Sequence, residues 1–82
     1  MAGYHVRYIH RGEYGQISKI HEELDELDDS IAQGNKIMAL LELSDLIGSI
    51  EGYLEANYKG LTLDDLIIMS RATRRAFDTG GR

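Results

Sequence analysis

The sequence predicts an all-α fold, in which a helical hairpin and a third helix assemble into an oligomeric helical bundle. Apolar residues recur at helical spacing along the chain. Two glycine-containing breaks, Gly34-Asn35 and Lys59-Gly60, divide this pattern into three stretches. The chain of 82 residues has the length of one small domain, spanning 1–82. A core of this size is marginal for a lone monomer.

Each predicted element has local start or stop signals. Residues 1–12 alternate weakly and have no helical period, so we expect an extended or irregular segment there. Thr62 and Asp65 form an approximate capping box, and Gly80-Gly81 ends the helix that follows. The predicted helices run from about Glu13 to Gln33, from about Lys36 to Asn57 and from about Thr62 to Phe77.

The second helix is apolar around most of its circumference. Only Ser44, Glu51 and Glu55 define a narrow polar strip, so the helix should be largely buried. Two neighbouring helices cannot cover so much apolar surface, which predicts a homo-oligomer, a dimer or a tetramer, with this helix at or near the interface. The apolar stripe of the first helix comprises Ile17, Ile20, Leu24, Leu27 and Ile31, and the broad arc of the second comprises Leu40, Leu43, Leu46, Ile47, Ile50 and Leu54.

Two pairs of carboxylates lie on either side of the Gly34-Asn35 break. Glu23 and Glu26 form one pair and Glu42 and Asp45 the other, each at i,i+3 spacing, which places both members on one helix face. At ~1.5 Å per residue, both pairs lie roughly 15 Å from the bend, so folding the hairpin brings them level. Four facing carboxylates repel one another unless a cation lies between them. Mg²⁺ is the expected ion because hard divalent cations prefer oxygen ligands.

The position of each pair on its helix bears on this interpretation. Glu42 and Asp45 fall outside the polar strip of a largely apolar helix, where carboxylates are costly unless they are paired or bound to metal. Glu23 and Glu26, taken alone, also fit a solvated acidic face, with Asp25, Asp28 and Asp29 pointing elsewhere. The alignment of the two pairs favours the metal site.

Basic residues are concentrated near the end of the chain. Arg71, Arg74, Arg75 and Arg82 follow Ser70, against a single Asp78. An acidic, metal-competent centre together with a separate arginine cluster suits a polyphosphate ligand. The alternative is that these cations complement the dipole of the last helix.

Composition excludes several classes of protein. The chain has no cysteine, so it has neither disulfides nor a thiolate metal site. The net charge of −5 argues against non-specific nucleic-acid binding. No apolar run has membrane-spanning length and no signal peptide is visible, so we expect no membrane partner and a cytoplasmic protein.

The histidines, one pair of glycines and three of the tyrosines show no spacing that requires a catalytic role. His5, His10 and His21 have no ligand spacing with one another and are interpreted as surface residues. The Gly48 and Gly52 spacing is interpreted as a point of close helix approach. Tyr4, Tyr8 and Tyr14 are expected to pack against the helices, with stacking on a base as the alternative.

The acidic residues and their surroundings resemble a known family. The run from Lys19 to Glu26, followed by the run from Glu42 to Leu46, is similar to the signature of MazG-type, all-α nucleoside triphosphate pyrophosphohydrolases. That signature is Glu-Glu-x-x-Glu, a spacer of a dozen or more residues, and Glu-x-x-Asp; here the spacer is 27–41. The short chain is similar to the phage-type members, which would place it in a host cytoplasm.

The resemblance implies cleavage of a nucleoside triphosphate between the α and β phosphates, giving a monophosphate and pyrophosphate. It implies Mg²⁺, with Mn²⁺ as a substitute, and catalytic roles for Glu22 at the attacking water and for Lys19 at a phosphate oxygen. A solvated surface role for Glu22 remains the alternative. The implied metal ligands are Glu23, Glu26, Glu42 and Asp45, and the implied phosphate-binding residues are Lys19, Arg74 and Arg75.

Other functional classes fit less well. A di-iron bundle needs Glu-x-x-His, and a calcium loop needs Asp-x-Asp-x-Asp-Gly, and neither occurs in this sequence. A non-catalytic helical module that binds nucleotide or protein is the remaining alternative. It would explain the apolar helices but not acids on a buried helix.

Overall fold

The computed structural model describes residues 5–78 and contains three helices: α1 (Ile17–Ala32), α2 (Lys36–Asn57) and α3 (Leu63–Asp78). No strand occurs within that range, so the predicted all-α class is confirmed. The bounds of α2 agree with the prediction, and those of α3 differ by one residue at each end. The predicted phosphate-cluster residue Arg82 and the stop signal Gly80-Gly81 lie outside the described residues.

α1 begins four residues later than its sequence predicts. Gly15 adopts a φ of +87°, a left-handed conformation that a continuing right-handed helix does not contain. A turn precedes the helix instead, in which the N–H of Gln16 donates to the carbonyl of Glu13 over 3.0 Å. The extended or irregular segment therefore continues beyond residue 12, as far as Gln16.

A tight turn joins α1 and α2 into the predicted hairpin. Gly34 has a φ of +72°, and its N–H donates to the carbonyl of Ile31 over 2.9 Å, which closes the end of α1. The Asn35 side chain then accepts a 3.0 Å hydrogen bond from the N–H of Met38 and caps the start of α2. The connection is so short that the two helices run back along each other.

The interface between α1 and α2 is polar. Leu54 is the one apolar side chain that is buried within residues 5–78. Much of the apolar surface is exposed instead, including Leu40 at 69% and Ile37 at 77%. The buried residues of the two helices are Glu22, Glu23, Asp29 and Ser30 of α1 and Glu42, Ser49, Gly52 and Leu54 of α2.

Two sequence-based expectations for these helices are wrong in the single chain. The second helix is expected to be largely buried, but much of α2 faces solvent, since Leu40, Leu43 and Ile47 are exposed. Asp45 is also exposed, whereas Glu42 is buried, so only one acid of the second pair lies on the inner side of α2. Helical periodicity identifies residues that share a face, but it does not say which face meets the neighbouring helix.

The segment before α1 packs onto the hairpin. The ring of Tyr14 lies directly over Gly52, where a methyl group would overlap it, so the tyrosine and not another helix makes the close approach. Gly48 faces open space. The interpretation of this glycine pair as a site of helix approach is therefore wrong within the chain, while the expected packing role of Tyr14 is confirmed.

α3 extends from the hairpin and adds little to its core. The predicted capping box is present: the N–H of Thr62 donates to Asp65 Oδ2 over 2.8 Å, and the N–H of Asp65 donates to Thr62 Oγ1 over 3.3 Å. α3 contacts α2 and not α1, and none of its residues is buried. None of the helices in the described part of the chain has the length and apolar character that crossing a bilayer requires.

Candidate metal centre

Five carboxylates from the two helices of the hairpin lie close together. We call this group the acidic cluster; it comprises Glu22, Glu23, Glu26, Glu42 and Asp45. Carboxylate oxygens of Glu22, Glu23 and Glu26 lie within 4.8 Å of one another, and so do oxygens of Glu23, Glu42 and Asp45. Glu23 belongs to both groups and links the acids of α1 to those of α2. The structure thus brings together all four residues that the sequence predicts as metal ligands.

Two acids of the cluster are buried with an oxygen left unbonded. Glu42 is 1% exposed and Glu23 is 5% exposed. No group within residues 5–78 donates a hydrogen bond to Oε1 of either residue. Buried oxygen acceptors without a donor are costly, and a bound cation would satisfy them.

The electrostatics of the cluster favour neutralisation. Burial raises the pKa of Glu42, and the charges of Glu23 and Asp45 add to this rise. Burial also raises the pKa of Glu23, with Glu26 and Asp45 adding to it and Lys19 opposing it. The pKa of Glu26 is raised by burial and by its contact with Glu42. Without a cation these carboxyls hold protons more readily than exposed ones, so a cation that binds here displaces protons.

Lys19 is bonded to two acids at one edge of the cluster. Its Nζ lies 3.1 Å from Glu22 Oε1 and 3.1 Å from Glu23 Oε2. Burial opposes the charged form of Lys19, but the bonds to both carboxylates raise its pKa. Lys19 is therefore a fixed cation that already neutralises part of the cluster.

Glu22 differs from the other acids on α1. Burial would raise its pKa, but the 2.9 Å hydrogen bond from the N–H of Gly12 and the bond from Lys19 outweigh burial and lower it. Arg11 lowers the pKa further through its charge. Glu22 is thus ionised beside neighbours that resist ionisation; its lowered pKa makes it a weaker base than an ordinary glutamate but keeps it an acceptor that can orient a water molecule.

His5 and Asp29 join the cluster, although the sequence-based interpretation placed both outside it. His5 Nδ1 lies 2.9 Å from Asp29 Oδ2, and His5 Nε2 lies 3.3 Å from Glu42 Oε2. The His5 side chain is 5% exposed, so its interpretation as a surface residue is wrong. Asp29 is also buried. It lies three residues after Glu26 and hence on the same helix face, and this spacing could have identified it.

The arginines of α3 lie apart from the cluster in one chain. Arg74 is 80% exposed, and its Nε lies 3.7 Å from Asp78 Oδ2. α3 makes no contact with α1, and Arg74 lines a shallow groove with Arg71 and Phe77 at which no acid of the cluster is present. The arginine cluster is thus separate from the acids, as the sequence predicts, and the phosphate-binding role implied for Arg74 and Arg75 stays a prediction.

Two other arginines lie beside the acids. A cavity of about 360 Å³ opens between the N-terminal segment and α1, and Arg7 and Arg11 line it together with Glu22 and Glu26. A second groove, of about 460 Å³, reaches Lys19, Glu23 and Asp45 from another side. The sequence does not predict a role for Arg7 and Arg11, because the segment that carries them has no periodicity.

No family model, curated protein or solved structure matches this chain. A function must therefore be inferred from the residues and their geometry.

Proposed function

We propose that the chain is a Mg²⁺-dependent nucleoside triphosphate pyrophosphohydrolase of the MazG type, which converts a (deoxy)nucleoside triphosphate to the monophosphate and pyrophosphate. One observation carries the proposal: the buried, unbonded oxygens of Glu23 and Glu42 lie within a cluster of five carboxylates drawn from two helices. Such a cluster in the middle of a small fold is costly unless it binds a cation. Mn²⁺ is the expected substitute for Mg²⁺.

The metal ligands in this proposal are Glu23, Glu26, Glu42 and Asp45. When bound, Mg²⁺ neutralises phosphate oxygens and lowers the pKa of a water that attacks phosphorus. Glu23 and Glu42 have oxygens available for this purpose, and Asp45 is exposed at the edge of the cluster, where substrate would approach.

In this proposal Glu22 acts on the attacking water, and Lys19 neutralises part of the charge on the phosphate. Glu22 is the member of the cluster whose pKa is lowered despite burial, so its carboxylate is ionised and can accept a hydrogen bond from the attacking water, which orients the water and gives its proton an acceptor as the water attacks phosphorus. Lys19 is held between Glu22 and Glu23, and there it would contact a phosphate oxygen of the substrate that reaches the same edge of the cluster. The bond between Lys19 and Glu22 also keeps both side chains in place.

The phosphate tail needs cations besides the metal, and Arg7 and Arg11 are suitably placed. Both line the cavity next to Glu22 and Glu26, and Arg guanidinium groups bind phosphate oxygens well. Arg74 and Arg75 contribute only if a neighbouring chain supplies them. The exposed apolar surface of α1 and α2 supports such a homo-oligomer, a dimer or a tetramer.

A nucleotide panel incubated with Mg²⁺, with all phosphate products resolved, tests the proposal. We expect pyrophosphate and a monophosphate from at least one nucleoside triphosphate. Orthophosphate with a diphosphate would place the cleavage at the wrong bond. Asp28→Asn is the control for substitutions of the acidic cluster, since Asp28 is an exposed acid of α1 and lies outside the cluster. It should leave turnover unchanged.

The alternative is a non-catalytic helical module that binds nucleotide or protein, and the exposed apolar residues of the hairpin favour it. Such a module would bind a nucleotide or a protein without turnover. The absence of turnover across the full panel, together with a measurable dissociation constant for one nucleotide, would support this alternative.

A further inference from the structure

His5 has both ring nitrogens directed at carboxylates in a buried position. Nδ1 lies 2.9 Å from Asp29 Oδ2, and Nε2 lies 3.3 Å from Glu42 Oε2. The residue belongs to the segment before α1 and reaches the hairpin across 24 positions of sequence. A side chain brought in over that distance and then buried has a definite orientation.

Asp29 fixes the orientation of the ring. The backbone N–H of Val6 donates to Asp29 Oδ2 over 3.1 Å, and the side-chain amide of Gln33 donates to the same atom over 2.9 Å. An oxygen that receives these donors is an acceptor, so the contact with His5 requires the proton on Nδ1. Nε2 of a neutral ring then presents its lone pair to the acidic cluster. A histidine that ligates a metal commonly donates its other ring N–H to a carboxylate in this way.

The atoms near Nε2 complete a possible coordination set. His5 Nε2 and carboxylate oxygens of Glu26 and Glu42 lie within 4.8 Å of one another. Ligand atoms of an ion with bonds of about 2.1 Å are separated by roughly 3 to 4.2 Å, so small side-chain shifts would bring all three into coordination. The unbonded Glu42 Oε1 is an independent sign that this part of the cluster lacks a partner.

We propose that His5, Glu26 and Glu42 form a second metal position that takes a transition-metal dication through His5 Nε2. This position adjoins the carboxylate-only position of Glu23, Glu42 and Asp45. Because the two positions share Glu42, the proposal of a second position rests in part on the proposed function. Imidazole nitrogen favours first-row transition metals over Mg²⁺, whereas carboxylates accept both. The two positions therefore differ in the ions that they select.

Mn²⁺ is the probe, because its unpaired electrons couple to a ligating nitrogen and pulsed electron paramagnetic resonance detects that coupling. The chain has three histidines. In the untagged double variant His10→Gln/His21→Gln, His5 is the one histidine left, and both replaced residues are exposed in the structure. We expect imidazole-nitrogen coupling in the Mn²⁺-loaded wild type and in this double variant, and its loss in His5→Gln.

Titration calorimetry supplies an independent readout. His5→Gln should weaken Mn²⁺ binding by about tenfold or more and leave Mg²⁺ binding unchanged within about threefold. Asp29→Asn should weaken Mn²⁺ binding in the same direction, because it removes the carboxylate that orients the ring.

The outcomes separate this proposal from the proposed function. Bound Mn²⁺ without nitrogen coupling in the wild type, or coupling that is lost in the double variant, would overturn the role of His5 even if pyrophosphate is released with Mg²⁺. Nitrogen coupling in a protein that releases no pyrophosphate would support the second position while the proposed function fails. The double variant tests whether His5 ligates Mn²⁺ even if His5→Gln does not fold.

Discussion

The hairpin of α1 and α2 has an inner face and an outer face with opposite characters. The inner face, where the helices meet, buries Glu22, Glu23 and Glu42, with Ser49 beside them. The outer face exposes large apolar side chains, among them Leu40 and Ile47. Globular folds usually have the reverse distribution. The proposed metal site would account for the buried acids of the inner face, and the proposed assembly would account for the exposed apolar side chains of the outer face.

The two faces also differ in how they affect stability. Carboxylates on the inner face lose hydration and repel each other, which works against folding in the absence of a cation. Apolar side chains on the outer face would stabilise the protein by about 25 cal/mol for each Å² buried against a partner. A bound cation would therefore stabilise the inner face, and a partner surface would stabilise the outer face. The two effects can be tested separately.

The largest expected effect comes from the inner face. Glu42→Gln should lower turnover by more than about 100-fold at ordinary Mg²⁺ concentrations, because it removes a ligand shared by both proposed metal positions. It also relieves repulsion, so the metal-free variant should be at least as stable as the wild type. Asp45→Asn should act in the same direction. Initial rates measured with Mg²⁺ check the effect on turnover, and denaturant midpoints measured in chelator check the effect on stability. A marked loss of metal-free stability would show that internal partners hold these acids.

The exposed apolar side chains of the outer face predict that the chain forms a homo-oligomer. At low micromolar concentration, light scattering should give at least a dimer, and the double variant Leu40→Glu/Ile47→Glu should shift the mass towards a monomer. Lys36→Glu is the control, since Lys36 is an exposed polar residue of the same helix and its change should leave the mass unaltered. A wild-type protein of monomeric mass with full activity would contradict this part of the account.

A smaller effect is expected at the cavity lined by Arg7 and Arg11, where we propose that phosphate binds. Arg11→Ala should raise KM by about tenfold, the equivalent of one charge-assisted hydrogen bond, with less effect on kcat. Arg74→Ala should change KM only if α3 of a neighbouring chain reaches the acidic cluster. Steady-state kinetics of the two variants compare the N-terminal and C-terminal cations; a normal KM for Arg11→Ala would remove Arg11 from the site.

The smallest effect is on the pH dependence of stability. Glu23, Glu26 and Glu42 have pKa values raised above the ordinary 4.5, so the folded state binds more protons than the unfolded state as pH rises through that value. The free energy of unfolding in chelator should therefore fall above about pH 4.5, by at most about 1.4 kcal/mol per pH unit for each group.

Asp29 and Glu22 act in the opposite sense. Their lowered pKa values contribute stability that is lost as pH falls below their ordinary values of 3.8 and 4.5. Metal-free stability should thus peak near the ordinary carboxyl pKa, and Glu42→Gln should flatten the decline on the alkaline side. Denaturant unfolding from pH 3.5 to 8 would show this; equal slopes in the two proteins would contradict it.

The sequence predicts those features that depend on short-range patterns. The ends of α2 follow from the Asn35 cap and from Gly60, which has a φ of +89°. The alignment of the acid pairs of the two helices follows from the constant rise of a helix about a short turn. Features that depend on long-range packing were missed. His5 reaches Asp29 from a segment without periodicity, and nothing local to α3 encodes its direction away from α1.

The account rests on the claim that the acidic cluster binds a divalent cation, and unfolding of the metal-free protein titrated with Mg²⁺ tests this claim most directly. A ligand that binds only the folded state stabilises it by about 2.7 kcal/mol at a concentration of 100 Kd. We predict a rise of this kind for the wild type and for Asp28→Asn, and little or none for Glu42→Gln. An equal rise in all three proteins, or none in the wild type, would contradict the account.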